Sequence, residues 1–502
     1  MNYTLNNNCW HFWLALTLGS LLSLCAAAQD TQPDDLLSSD FHQQRREALR
    51  ALMPTNSVTV VFASPVRNRA NDVDYLYHQD PTFYYLTGHR QPHAMLLLFK
   101  ESQRIGGKKT DELLLVRPPN ALDELYNGAR LRSEAGAGQL GIKAVRESTE
   151  FEKLGIDFSD FDKVLFYDLA DDVRDTPDKD DLHDLIETFK RQVNYPAENK
   201  LSLSPEPMRN NLDVFTLDSL MQQLREIKTP DELDLLRKAA RISALGQREV
   251  MKALEPGMSE REVQGMHEFI YRKYQAEYEG YPSIVGAGHN GCVLHYIDNY
   301  KPAIEDGELI LMDLGAEYHG YTADVTRTLP VNGKFTPEQK QIYDLVYQAQ
   351  EAGIAQCRAG NTFQAVYEAT AQVINEGLVR LGIYESMKSK DIVNPATGRN
   401  RYYPHGCCHH IGLDVHDQGT YDTLRANMVV TIEPGIYIPE GSPCDPKWWN
   451  IPVRIEDDFL VTETGCENLS DAAPRRSEEI EALMAEPSFF NTVDLPALEA
   501  GE

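Results

Sequence analysis

A chain of 502 residues exceeds the usual size of one domain and can bury two substantial cores. With 42% apolar and 25% charged residues it has the composition of a globular protein, which excludes wholesale disorder. A net charge of −29 without a basic stripe disfavours nucleic acid or an anionic membrane as a partner, and acidic runs such as 168–184 read as solvated surface.

The first charged residue is Asp30. Before it, residues 12–28 form an apolar run ending in Ala26-Ala27-Ala28, the pattern of an export signal cleaved before Gln29. The run has no basic residue ahead of it, so an uncleaved N-terminal membrane anchor stays open as the alternative; export to the periplasm or outside the cell is expected either way. Residues 29–45 are polar and read as a loose lead-in. From 46 to 212, short apolar runs at 57–63, 94–100, 112–116 and 163–168 alternate with amphipathic windows such as 44–53. That alternation predicts an α/β domain on a mixed sheet, closed by a polar linker around 196–212. A second domain is expected over 213–480. Thr229, Pro230 and Glu232 open one helix with a capping box, Pro256-Gly257 ends it, and Ser259 with Glu262 opens the next. An acidic tail follows at 481–502.

Eight cysteines include Cys9 and Cys25 in the leader. The others, Cys292, Cys357, Cys407, Cys408, Cys444 and Cys466, are scattered and do not form a disulfide framework. Cys407 and Cys408 read as packing residues.

Chemistry concentrates in the second domain. The run 307–315 reads as a strand delivering Asp313, and 321–329 as its hairpin partner, with Asp324, Thr326 and Thr328 on one face. HGCCHHIGLDVHD at 405–417 supplies His405, His409, His410 and His416. MVVTIEP places Glu433 at a strand end, and VRIEDD places Glu456 on another strand with Arg454 on the same face. Arg454 is thus poised to hold a ligand carboxylate from behind. Asp313, Asp324, His409, Glu433 and Glu456 are four carboxylates and one imidazole. Such a set suits a pair of divalent cations better than a lone zinc, and a cation pair is a device for hydrolysis.

The motifs IVGAGHNGCVLHY (284–296), DLGAEYHGYTADVTRTLPVNGKF (313–335), HHIGLDVHD (409–417), TIEPGIYIPE (431–440) and RIEDD (454–458) resemble those of the pita-bread metallopeptidases of the aminopeptidase P and prolidase group, over about residues 40–480. The resemblance implies an α+β chain: a creatinase-like mixed-sheet domain, then a pita-bread catalytic domain. It implies that Asp313 binds one metal, that Asp324 and Glu456 bridge both, and that His409 and Glu433 complete the second. It further implies manganese, where the ligand set alone says only a hard or borderline divalent cation. His295, His405 and His416 match histidines that line the site and hydrogen-bond the substrate carbonyl or the developing oxyanion. Glu433 is the expected proton shuttle. His410 is expected to point away and His319 to lie at the surface.

The preferred reading is release of the first residue of peptides with proline second. An Xaa-Pro dipeptidase is the alternative. A metal-free creatinase-like enzyme or binding module is the third, against which the intact ligand set weighs. The resemblance also implies a homodimer or homotetramer.

Overall fold

The computed structural model describes residues 33, 35–196, 211–493 and 495–496. The export signal, its cleavage site and most of the linker lie outside the described residues, as does the end of the acidic tail. Of the unit Met1–Ser38, the described positions carry no helix or strand; Ser39–Glu502 forms the other compact unit. Among the described residues no helix is long and apolar enough to cross a membrane.

The N-terminal part is built on six strands, β1 (Ser57–Phe62), β2 (Met95–Ile105), β3 (Lys108–Val116), β4 (Val145–Glu147), β5 (Lys163–Leu165) and β6 (Leu212–Asp213), in the order β4-β3-β2-β1-β5-β6. The inner pairings β1–β2 and β2–β3 are antiparallel and the outer ones parallel, which makes the sheet mixed, as expected. β1 reads SVTVVF and is buried along nearly its whole length, as a strand covered on both faces must be. Val58, Val60, Leu97, Phe99, Leu115 and Phe189 belong to the core it builds.

The lead-in expected over 29–45 is half wrong, because helix α1 already begins at its residue 39 (Ser39–Leu52). The charged string hides an inward face: Phe41 and Leu49 are buried, and Arg46 is buried completely. Arg46 Nε donates to Glu112 at 3.0 Å and its Nη1 to the Leu86 carbonyl at 2.8 Å.

The C-terminal part pairs α2 (Pro230–Ala253) with α3 (Glu260–Lys273), and α4 (Pro337–Ile354) with α5 (Phe363–Arg380). Both expected capping boxes are present, with Thr229 and Glu232, and Ser259 and Glu262, satisfying each other's backbone N–H groups. The strands are β7 (Tyr278–Glu279), β8 (Ile284–Ala287), β9 (Leu309–Leu314), β10 (Ala316–Tyr318), β11 (Tyr321–Thr322), β12 (Val325–Pro330), β13 (Val429–Ile432), β14 (Gly435–Ile438), β15 (Ile451–Arg454), β16 (Asp457–Val461) and β17 (Cys466–Asn468). They form four small sheets, β8-β9-β12, β11-β10-β7, β13-β16-β17 and β14-β15.

Two expected strands are broken. The run 321–329 splits at Ala323-Asp324, so β11 pairs with β10 while β12 pairs with β9. The run 453–458 splits at Ile455-Glu456, between β15 and β16. The expected domain end at 480 is also displaced, since helix α6 (Ser477–Met484) runs through it. Beyond α6, the Phe489 and Phe490 rings each lie 5.7 Å from Phe269.

The N-terminal sheet domain is tied to the C-terminal part by polar contacts: His78 Nε2 lies 2.9 Å from Glu317, and Tyr278 Oη donates to the Tyr77 carbonyl at 2.6 Å.

Candidate metal centre

The site is assembled where strands end or break. Asp313 is the penultimate residue of β9 and faces Thr326 across the ladder. Gly315 follows because a Cβ there would collide with the Ala323 carbonyl oxygen; only glycine lets the chain pass so close to Asp324. Asp324 sits in the first break, its N–H donating to Asp458 at 3.1 Å. Glu456 sits in the second, its N–H donating to the Thr326 carbonyl at 3.1 Å and its carboxylate accepting from Thr326 Oγ1 at 2.6 Å. Glu433 directly follows β13, its N–H bonded to the Cys407 carbonyl at 2.8 Å. His409 lies alongside β13, whose Thr431 N–H donates to the His409 carbonyl at 2.9 Å.

These placements bring all five predicted ligands together. His409 Nε2 lies 3.6 Å from Asp324, 3.7 Å from Glu433 and 4.0 Å from Glu456. Asp324, His409 and Glu456 each offer a ligand atom within 4.8 Å of the others. Tyr281 Oη stands 2.6 Å from Oδ1 of both Asp313 and Asp324, joining the two aspartates. Arg454 Nη2 donates to Asp313 at 2.5 Å, its Nε to Thr326 at 3.2 Å and its Nη1 to Tyr437 at 2.7 Å. The expectation that Arg454 backs a ligand carboxylate therefore holds for Asp313.

The electrostatics are those of an anionic cluster short of cations. Burial, then the neighbouring carboxylates, push Asp324 well above the carboxylate range. Glu433 is pushed well above it for the same reasons, and Glu456 is pushed up to about 8. Burial is the largest influence on Asp313 and opposes its charged form, but Arg454 and the Tyr281 hydrogen bond together outweigh it and hold that carboxyl below its usual range. His409 is lowered to about 4 by burial and by the adjacent His416, so its imidazole is neutral and able to ligate. Buried carboxylate oxygens with one neutral imidazole are a fitting donor set for divalent cations.

The other predicted histidines differ in placement. His405 has both ring nitrogens engaged, Nδ1 with the Gly406 carbonyl at 2.6 Å and Nε2 with Tyr437 Oη at 2.9 Å. Burial and Arg454 lower it to about 3. His416 is exposed and sets its ring edge-on to His409 with centroids 4.3 Å apart. His295 lies on an exposed turn, near enough to depress both His405 and His416. His410 turns away as expected, to the Thr420 carbonyl at 2.9 Å.

His319 is not at the surface: it is 3% exposed. It occupies a two-residue turn between β10 and β11 at a φ of 51°, where Glu277 covers it and bonds its Nδ1 at 2.6 Å. Sequence reading gave no role to Tyr281 or Tyr437. Tyr437 stood inside a quoted motif, but Tyr281 lies just ahead of one, in a loop without a local signature. All six cysteines of the described chain are free, and Cys407 is buried, as a packing residue should be.

The model of metallopeptidase family M24 matches residues 234–463, and that of the N-terminal domain of aminopeptidase P matches 42–159. The Xaa-Pro aminopeptidase of Escherichia coli K12 is 34% identical over 455 residues, covering 89% of this chain and 98% of the relative. The structure of E. coli aminopeptidase P with the inhibitor Pro-Leu superposes with a TM-score of 0.77 at 31% identity, covering 89% of this chain and 98% of that one. Pseudomonas aeruginosa aminopeptidase PepP gives 0.76 at 35% identity over 90% of this chain and 98% of that one. The chain belongs to metallopeptidase family M24. Its architecture is that of aminopeptidase P, a mixed-sheet N-terminal domain followed by a pita-bread catalytic domain.

Proposed function

We propose that this chain is an Xaa-Pro aminopeptidase, releasing the first residue of peptides with proline second and using two divalent cations, manganese in preference. The convergence of Asp313, Asp324, His409, Glu433 and Glu456 on one buried spot carries this reading. The names of the E. coli relative and of its solved structures support it.

Asp313 would hold one cation, His409 and Glu433 the other, with Asp324 and Glu456 between. When bound, such a pair lowers the pKa of water and polarises the scissile carbonyl. The chain's own residues do the rest. Glu433, only partly buried, accepts the proton of the attacking water and passes it to the departing proline nitrogen. Ionised Asp313 accepts from the free amine of the peptide, which restricts cleavage to the first bond. His295 and His416, exposed at the opening, donate to the substrate carbonyl and the oxyanion. His405, with both nitrogens engaged, holds the Tyr437–Arg454 chain in place.

A dipeptidase must capture a carboxylate just behind the proline. Arg454 is already committed to Asp313, Thr326 and Tyr437, which favours the aminopeptidase. Steady-state kinetics on matched Xaa-Pro and Xaa-Pro-Yaa peptides with added manganese test this; hydrolysis confined to the dipeptide would make the chain a prolidase. We also propose export with cleavage before Gln29, which N-terminal sequencing of the exported protein checks. Assembly into a homo-oligomer is supported by the helix Ala121–Asn127, which has no buried residue and exposes Leu122, Leu125 and Tyr126. Light scattering measures it.

A further inference from the structure

Two cysteines distant in sequence come together where the end of α4 meets β17. Cys357 follows α4 in a tight turn and is fully buried, while Cys466 opens β17 and is part-exposed. The two segments are laced together: the Ala359 N–H donates to the Thr462 carbonyl at 3.1 Å. One carbonyl oxygen touches both cysteines. Ile354 O accepts from the Cys357 N–H at 3.0 Å and lies 3.9 Å from Cys466 Sγ. The two side chains also act on each other electrostatically, the Cys357 thiol being pushed up and the Cys466 thiol drawn down.

We propose that Cys357 and Cys466 are a disulfide-forming pair, closed by a disulfide oxidant of the glutathione class. Cys466 attacks first, because it is the exposed partner. Its thiolate displaces one glutathione thiolate from the oxidant and forms a mixed disulfide. Cys357 loses its proton and attacks the Cys466 sulphur, and the second glutathione leaves. Two electrons pass to the oxidant, and the two cysteine protons end on two glutathione thiols. The neighbouring Cys357 side chain and the Arg475 guanidinium lower the Cys466 thiol, which suits it to the first attack.

The bridge would close a loop of about 110 residues, a length at which restriction of the unfolded chain is large. His409, Glu433 and Glu456 all lie inside that loop. The bond would therefore staple the half of the domain that carries three of the five ligands.

The test uses the purified full-length enzyme, incubated natively with oxidised or reduced glutathione, then denatured, alkylated and mapped by mass spectrometry without reduction. The expected result is a Cys357–Cys466 cross-linked peptide and a Tm several degrees above the reduced form. Cys466→Ser should abolish both. Full alkylation of the two cysteines after oxidation overturns the proposal, as does capture of Cys357 by Cys407. Should Cys466→Ser fail to fold, the wild-type map decides alone.

Discussion

Glu112 in the N-terminal sheet and Asp324 in the catalytic part are both nearly fully buried, at 1% and 5% exposure, yet their surroundings are opposite. Glu112 is outnumbered by cations. Arg46 reaches it at 3.0 Å and Arg50 at 2.9 Å, and the Lys143 N–H takes its other oxygen at 2.9 Å. Asp324 shares its surroundings with Asp313, Glu433, Glu456 and Asp458, and the nearby Arg454 guanidinium is hydrogen-bonded to Asp313. A structural cluster balances its charge from within the chain. A cluster left anionic at such depth is completed by something the chain does not supply, and that imbalance marks the functional site.

The largest expected effect follows from removing one member of the anionic set. Asp324→Asn keeps the volume and the fold but deletes a ligand oxygen's charge, so activity should fall by several orders of magnitude. Metal analysis should show cation loss, while the chelated variant melts no lower than the chelated wild type because a buried carboxyl that resists ionisation has become a neutral amide. Normal turnover with normal metal content would refute the ligand assignment. Glu112→Ala should do the reverse. It strands Arg46 in the core and should cost about 3–5 kcal/mol in denaturant unfolding, with metal content unchanged.

A third test sets the metal cluster against pH. Glu456 has a folded value of about 8 against an ordinary 4.5, so the native state binds that proton more tightly than the unfolded chain. The stability this confers is full below 4.5 and is lost as pH rises through about 8. His267, lowered to about 3 by burial, and His89, lowered to about 4, act oppositely. Unfolded chains take those protons first, so stability falls as pH drops below 6.5. The histidine contribution is common to both forms of the enzyme. The excess Tm of metal-loaded over chelated protein should therefore grow from about pH 5 to about pH 8, and a flat difference would contradict it. The smallest effect is expected from Cys407→Ser combined with Cys408→Ser. Metal content should stay at the wild-type level, and loss of one equivalent would make a thiolate a ligand.

The clusters also differ in how legible they were. Asp313 and Glu433 close apolar strand runs, and their positions could be read from hydropathy alone. Asp324 and Glu456 were assigned to continuous strands because β-branched and acidic residues alternate through them. What breaks those strands is a contact between distant segments, the Glu456 N–H on the Thr326 carbonyl, and no local pattern encodes it. The start of α1 at Ser39, ahead of the amphipathic window at 44–53, has a related cause: His42 and Arg46 are polar residues whose buried partners, the Tyr85 carbonyl and Glu112, lie far along the chain. His319 was placed outside because a His-Gly turn looks exposed, and only the neighbouring Glu277 shows otherwise.

The hydrogen bond between Arg454 and Asp313 spans 141 positions of sequence, and that between Asp324 and Asp458 spans 134. A nascent chain halted anywhere before these partners emerge carries two aspartates with the Tyr281 hydroxyl between them, without the arginine and the later carboxylates that complete the set. The cluster comes into being only when nearly the last strand of the domain has left the ribosome and docked. Selection among competing cations is therefore made when folding finishes, and the metal supply met at that moment decides which ion the site takes.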